Sequence, residues 1–393
     1  MNKTVLFAWE LGSGGGHVGN LVPVARELAI HGYRPVFVLR NVTGHYPSLE
    51  SAGFPILQAP QWPTSVTGKW RASSYADILA VHGYGSVEGL SRLVKAWEGL
   101  FQVTTPALIV ADHSPTVCLA ARDIIPAILL GNGFTLPPAY LPTFPPLRLR
   151  ASRTRTRETM PQERVLGVIR QVQHIHHRSA PDTLPALLDT AKRFVFSLPE
   201  LDPYRALRRE PLFFPFDCAT RALPLPTAPS LYAYCSDKHP ELEAIAHALA
   251  GLEAPVSAYF REERKVLSRF LEGLGIHVHS NPPPYDEALS QASAVLSQAG
   301  QATAHSALIT GRPQILSPIH LEAKLTSQAL VELGVGIEIQ RPIKIRRLRK
   351  ILKKVLEDKA MAERAMALAH TIAARERTDS LSAVVSACRT LAA

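Results

Sequence analysis

The 393-residue chain has no apolar run long enough to cross a membrane; "PALIVA" and "IIPAILLG" are the size of core strands. It has only four cysteines, Cys118, Cys218, Cys235 and Cys388, far apart and without a C-x-x-C pair. That argues against structural zinc and fits a reducing compartment. The one histidine cluster, "HIHH" (174–177), has no acid or cysteine beside it at ligand spacing, so no metal site is expected. No D-x-D motif is present to hold a diphosphate through a metal. A signal peptide is also missing: "MNKTVLFAW" is cut short by Glu10 and has no small-residue cleavage pattern, so the expected location is the cytoplasm. Acidic residues are in the minority, 33 against 43 basic, for a net charge of +10 at pH 7, which suits anionic partners such as nucleotide phosphates or anionic lipid.

What is present reads as a folded chain, with 46% apolar and 19% charged residues, too long for one ordinary core. Apolar runs alternate with helical patterns: "KTVLFAW" (3–9), then a helix over 17–32 with Leu21, Val24, Ala25 and Leu28 on one face, then "RPVFVLR" (34–40). The pattern returns with "PALIVAD" (106–112), "SPTVCLAARDI" and "PAILLG" (126–131), and predicts parallel β-α-β units. From about 137 it gives way to proline, then arginine, with helices expected at 161–178 and 184–192. Prolines crowd 211–230, which reads as a linker, and a second alternating α/β region follows.

Two stretches carry chemistry. The first, "ELGSGGGHVGN", places five glycines in residues 12–19 between a strand and a helix, with His17 at the helix start. Backbone N–H groups there can meet a phosphate, and the helix dipole favours a neutral imidazole, as a general base needs. Gly14-x-Gly16-x-x-Gly19 also fits a dinucleotide fingerprint; with no acid after the second strand, Arg40 would have to hold an NADP phosphate. The second, "LSQAGQATAHSALITG", ends a strand at Ser297 and opens a helix after Gly300 with Gln301 and Thr303, an anion-binding arrangement. In "SPIHLEAK", Glu322 is expected in a loop on the same side, suited to a ribose diol. A dehydrogenase needs no second such motif.

Through "GSGGGHVGNLVPVARELAIHGYRPVFV", "LIVADHSPTVCLAAR" and "SQAGQATAHSALITGRPQILSP" on to "LGVG", the chain resembles the UDP-glycosyltransferase superfamily of GT-B fold. It is most similar to the bacterial branch of the macrolide glycosyltransferases, and distantly to the peptidoglycan N-acetylglucosaminyltransferase. The resemblance implies an α/β protein of two Rossmann-like domains facing across a cleft: 1–215 binding acceptor, 216–230 a linker, 231–378 binding the nucleotide sugar, and a helix over 379–393 crossing back to the N-terminal domain. It implies an inverting, metal-independent transferase with no resident cofactor, taking a UDP- or dTDP-linked sugar to a hydroxyl of a small-molecule or lipid acceptor. His17 stands at the general-base position and Asp112 at that of its acidic partner. Gly14, Gly15, Gly16, Ser297, Gln298, Gly300, Gln301, Thr303, Glu322 and Lys324 are the donor-binding candidates, and His113, Asn132 and Phe134 those for the acceptor.

The family's His-Gly-Gly is replaced by Ser297, Gln298, Ala299 and Gly300, and His305 stands where a glutamate is common. An inactive GT-B protein that binds a partner, an NADP oxidoreductase and a nucleotide-sugar epimerase therefore stay open as alternatives. The basic segments 148–178 and 344–354 are candidates for peripheral contact with an anionic inner membrane face; without interleaved aromatics, 148–178 does not read as a nucleic-acid surface.

Overall fold

A computed structural model describes residues 3–12, 15–44, 46–63, 72–147, 160–236, 238–261 and 265–393. The chain forms two compact units, one of residues 1–216 and 377–393, the other of residues 217–376.

The first unit is built on seven strands: β1 (Thr4–Trp9), β2 (Arg34–Leu39), β3 (Ile56–Gln58), β4 (Pro106–Asp112), β5 (Ala127–Gly131), β6 (Lys192–Phe196) and β7 (Leu212–Phe213). They pair in the order β3-β2-β1-β4-β5-β6-β7, all parallel. Its helices are α1 (Gly16–Ile30), α2 (Pro47–Glu50), α3 (Tyr75–Leu79), α4 (Val87–Thr104), α5 (Pro115–Ala121) and α6 (Gln162–Ile175). Alternation along β1 feeds two cores. Leu6 and Ala8 meet Val94 and Trp97 of α4 and Ile169 of α6 on one face; Val5, Phe7 and Trp9 meet Leu21 and Leu28 of α1 on the other.

The second unit repeats the plan with β8 (Leu231–Ser236), β9 (Val256–Arg261), β10 (His277–His279), β11 (Ala294–Ser297), β12 (Gln314–Leu316) and β13 (Gly336–Glu338), in the parallel order β10-β9-β8-β11-β12-β13. Around it lie α7 (Leu242–Leu249), α8 (Lys265–Glu272), α9 (Tyr285–Ser290), α10 (Gln301–Thr310), α11 (Leu321–Glu332), α12 (Ile345–Glu357) and α13 (Lys359–Ala373). The last helix, α14 (Ser380–Ala392), is capped by Asp379, which accepts from Ser382 N at 3.1 Å. It belongs to the first unit, where Val384, Val385 and Cys388 join the core behind α1.

Three expectations change. The helix expected at 184–192 is a single 3-10 turn, Pro185–Leu188: its leucines are buried, but a proline at its start and too few residues leave no room for an α-helix. Of residues 216–230, read as linker, 217–230 pack within the second unit. The wholly buried guanidinium of Arg312 donates to Leu223 O at 3.0 Å and Pro224 O at 2.7 Å, as well as to Leu289 O and Thr310 O. Glu322 sits in the first turn of α11 rather than in a loop, because His320 Nδ1 accepts from Ala323 N at 3.3 Å and caps the helix just ahead of it.

In both sheets the order of strands reverses between the first strand and the fourth. Ligands of parallel α/β sheets sit at the carboxyl ends of the strands at that switch point. His17 and Asp112 lie at the switch of the first sheet, and Ser297 and Gly300 at that of the second.

Candidate functional site

In the first unit β1 and β4 run side by side with Trp9 opposite Asp112. The chain leaves β1 through Gly12, in the left-handed region at φ 86°, and enters α1. His17 lies in the first turn of that helix, and its Nδ1 is 2.8 Å from Asp112 Oδ1. The other carboxylate oxygen accepts from Asn20 Nδ2, one turn along, also at 2.8 Å. Asp112 is buried, and two groups on one face of α1 hold both its oxygens. As the carboxylate can only accept, Nδ1 carries the hydrogen and Nε2 presents its lone pair, the tautomer a general base needs.

Gly12 is the glycine this geometry requires. A Cβ there would stand 2.8 Å from His17 Nε2 and 3.0 Å from His113 Nδ1. Among the described residues, at Gly16 it would meet nothing within 4 Å and at Gly15 only the Tyr46 ring. Gly14 lies outside the described residues.

His113 follows Asp112 with a left-handed backbone at φ 48°, held by Leu11 N donating to its carbonyl at 3.0 Å. Its ring lies 5.6 Å from that of His17, between Tyr75 and Phe134. Among the described residues neither ring nitrogen, both of them buried, has a hydrogen-bond partner, and the same holds for the Tyr75 hydroxyl. Burial, reinforced by the positive potential of His17, pushes the His113 pKa well below the usual histidine value. Asn132 Oδ1 accepts from Phe134 N at 2.9 Å and Thr135 N at 3.1 Å, so it shapes the loop that presents Phe134. A buried pair, Arg208 with Asp202 at 2.8 Å, braces the loop, and Arg208 also donates to Gly133 O and Leu136 O. Of the acceptor candidates, His113 thus stands beside His17 and Phe134 packs edge-on against His113, while Asn132 shapes the loop of Phe134 through its bonds to the backbone.

Glu10 was not singled out in the sequence. It is buried on the face of β1 opposite Trp9, accepts from Thr116 N at 2.8 Å and from the Trp97 indole, and so anchors the start of α5 just beyond Asp112 and His113. Burial raises its carboxyl to about 8 against those donors. A lone glutamate ending an apolar strand was the only signal. Arg40, which a dinucleotide phosphate would need, turns its guanidinium onto Glu10 O at 2.8 Å.

In the second unit β11 ends at the buried Ser297, whose hydroxyl accepts from Ala299 N at 3.1 Å. Ala299 takes the left-handed region at φ 58°, rare for a residue with a side chain, and turns the chain into Gly300, the N-cap of α10. A Cβ on Gly300 would meet no atom within 4 Å, and glycine has no side chain to cap the first turn, so the helix presents its amides and its positive dipole end outward. Gln301 is braced by Nε2 donating to Thr326 Oγ1 of α11 at 3.0 Å. The Thr303 hydroxyl turns aside to Tyr285 OH at 3.0 Å. Gln298 Nε2 and Gln301 Oε1 are buried with no hydrogen-bond partner among the described residues. Glu322 and Lys324 lie in the first turn of α11, beside Thr326, both half-buried. His239, which the sequence did not reveal, bonds Ser317 Oγ at 2.9 Å and steadies the turn between β12 and α11.

The basic segments divide. Residues 148–159 lie outside the described residues; beyond them His176, in the histidine cluster, pairs with Glu98 at 3.0 Å and Ser91 at 2.8 Å. In α12 the apolar stripe Leu348, Leu352 and Val355 is buried, and the basic residues face solvent. Among the described residues no group of three or more histidines, cysteines or acids could hold a metal ion, and no helix is long and apolar enough to cross a membrane.

Residues 279–388 match the family model described as Erythromycin biosynthesis protein CIII-like, C-terminal domain. Comparison with curated protein sequences gives no match. Among solved structures, the calicheamicin glycosyltransferase CalG4 superposes with a TM-score of 0.65 at 18% identity, covering 100% of this chain and 98% of that one. The glycosyltransferase VinC, solved in complex with DTDP, gives 0.63 at 14% identity, with 99% of each chain covered. The spinosyn rhamnosyltransferase SpnG, complexed with spinosyn aglycone, gives 0.64 at 16% identity, covering 98% of this chain and 99% of that one. The fold is that of the GT-B glycosyltransferases.

Proposed function

We propose that this chain, with a GT-B fold and an EryCIII-like C-terminal domain over residues 279–388, is a nucleotide-sugar-dependent glycosyltransferase. It moves a sugar from a dTDP- or UDP-linked donor to a hydroxyl of a small-molecule or lipid acceptor. The first unit binds the acceptor and the second the donor. Support for the ligand classes comes from the neighbours whose structures hold DTDP and an aglycone.

The observation that carries the reading is the His17–Asp112 pair, with Asp112 buried and held from both sides. His17 Nε2 takes the proton of the acceptor hydroxyl as its oxygen attacks the anomeric carbon. Asp112 holds the ring and balances the imidazolium. The nucleoside diphosphate leaves from the opposite face, so the anomeric configuration inverts. Charge growing on the diphosphate is met by the amides and dipole of the α10 start, without a metal. Glu322 accepts from donor hydroxyls, and Lys324 contributes a positive charge. His113 and Phe134 form the acceptor wall beside the base. Any contact with anionic lipid is electrostatic, because the apolar stripe of α12 is already buried.

The test is a thermal-shift panel of UDP, dTDP, GDP and NADP on the purified protein, since a ligand that binds only the folded state raises its melting temperature. Stabilisation by dTDP or UDP is expected. NADP alone would point to the oxidoreductase, and silence from all four to an inactive, partner-binding protein.

A further inference from the structure

Asp112 fixes where His17 Nδ1 sits. A second contact bears on the plane of the ring. Trp9, the last residue of β1 and 2% exposed, lays its ring against the His17 ring with centroids 5.2 Å apart and planes inclined by 25°. The indole cannot turn away. Its N–H donates to Leu11 O at 2.6 Å, and the Tyr46 ring packs edge-on against it at 6.4 Å. The Asp112 carboxylate, itself held by the Asn20 amide, and the His113 ring also lie against His17; His113 in turn feels His82 and Arg40. Glu10 lies on the other face of β1, bonded to Trp97 and Thr116.

An aromatic face within about 6 Å of a cation attracts it through the ring quadrupole, and tryptophan does so best. The imidazole becomes a cation only when it has taken a proton. We propose that Trp9 is a positioning residue that fixes the plane of the His17 ring and favours its protonated form, acting through His17 on the transfer reaction. This rests on His17 being the base, but its test does not.

The test follows the ring resonances of His17 by NMR across pH in the ligand-free protein, with the signal assigned by its loss in His17→Gln. Trp9→Leu should lower the His17 titration midpoint by about half a pH unit or more, and Trp9→Phe should recover most of it. In the transfer assay Trp9→Leu should lower kcat at least tenfold with the acceptor KM within twofold of wild type, and Trp9→Phe should restore most of the rate. Trp9→Met, which fills much of the same space without a ring, replaces the leucine variant if that does not fold. An unchanged or raised midpoint in a folded variant lacking the ring overturns the proposal, even if the protein is a glycosyltransferase. If the midpoint shifts as expected and no transfer is found, the stacking stands and the reaction is wrong.

Discussion

Gly300→Asp separates stability from binding because the two should move differently. Gly300 has ordinary extended backbone angles, φ −64° and ψ 146°, and a Cβ there meets no atom within 4 Å, so aspartate fits without strain. At an N-cap, aspartate exceeds glycine by only a few tenths of a kcal/mol, so the melting temperature should hold or rise slightly. The new carboxylate stands before the α10 amides, where a diphosphate would lie. Two unit negative charges about 5 Å apart at an effective dielectric of about 20 repel by about 3 kcal/mol. That weakens dTDP or UDP binding by about two orders of magnitude at low salt, and less as salt rises. Gly300→Asn is the control, since it caps the helix with nearly the same shape and no charge. Calorimetric titration of wild type and both variants should give a large loss for aspartate and a small one for asparagine. Equal affinity in wild type and a well-folded Gly300→Asp protein would refute the placement of the diphosphate at this helix.

Two further outcomes follow from buried groups. The depressed pKa of His113 means that, as pH falls below about 6.5, the unfolded chain binds a proton that the native state refuses; stability falls by at most about 1.4 kcal/mol per pH unit until the folded pKa is reached. His113→Asn, which tolerates the left-handed backbone at φ 48°, should flatten acid unfolding in urea by that amount, and parallel curves would contradict the burial argument. Burial brings Arg312 down to about 10, and its carbonyl partners include Leu223, Leu289 and Pro224. Arg312→Met should cost about 3 kcal/mol in urea unfolding by leaving these acceptors unpaired; no loss would show that residues 217–230 are held by something else.

The strands were legible because parallel strands buried on both faces read as unbroken apolar runs, as "PALIVAD" does for β4. α1 was legible from its apolar stripe and from Gly32 beyond it. The pairing of His17 with Asp112 came from the resemblance to the GT-B family; its physical basis is the switch point, where the end of β4 lies beside the residues that follow β1. Other features depend on groups that composition hides. Arg312 grips carbonyls, not side chains, so a proline-rich stretch looked like a free linker while it was bound into the second unit. The cap before Glu322 is a histidine, outside the usual set of capping residues, and α11 therefore read as a loop. Trp9 and Glu10 sit in one apolar run, and only the alternation of the strand sends the first to His17 and the second to α5.

The most direct measurement mixes the protein with dTDP- and UDP-sugars and a panel of hydroxylated acceptors, and follows product mass and released nucleoside diphosphate for wild type and His17→Ala. Wild type should yield acceptor plus one sugar together with the diphosphate. His17→Ala should yield none while still binding dTDP or UDP with wild-type affinity. Transfer by His17→Ala at the wild-type rate would contradict the assignment of His17 as the base.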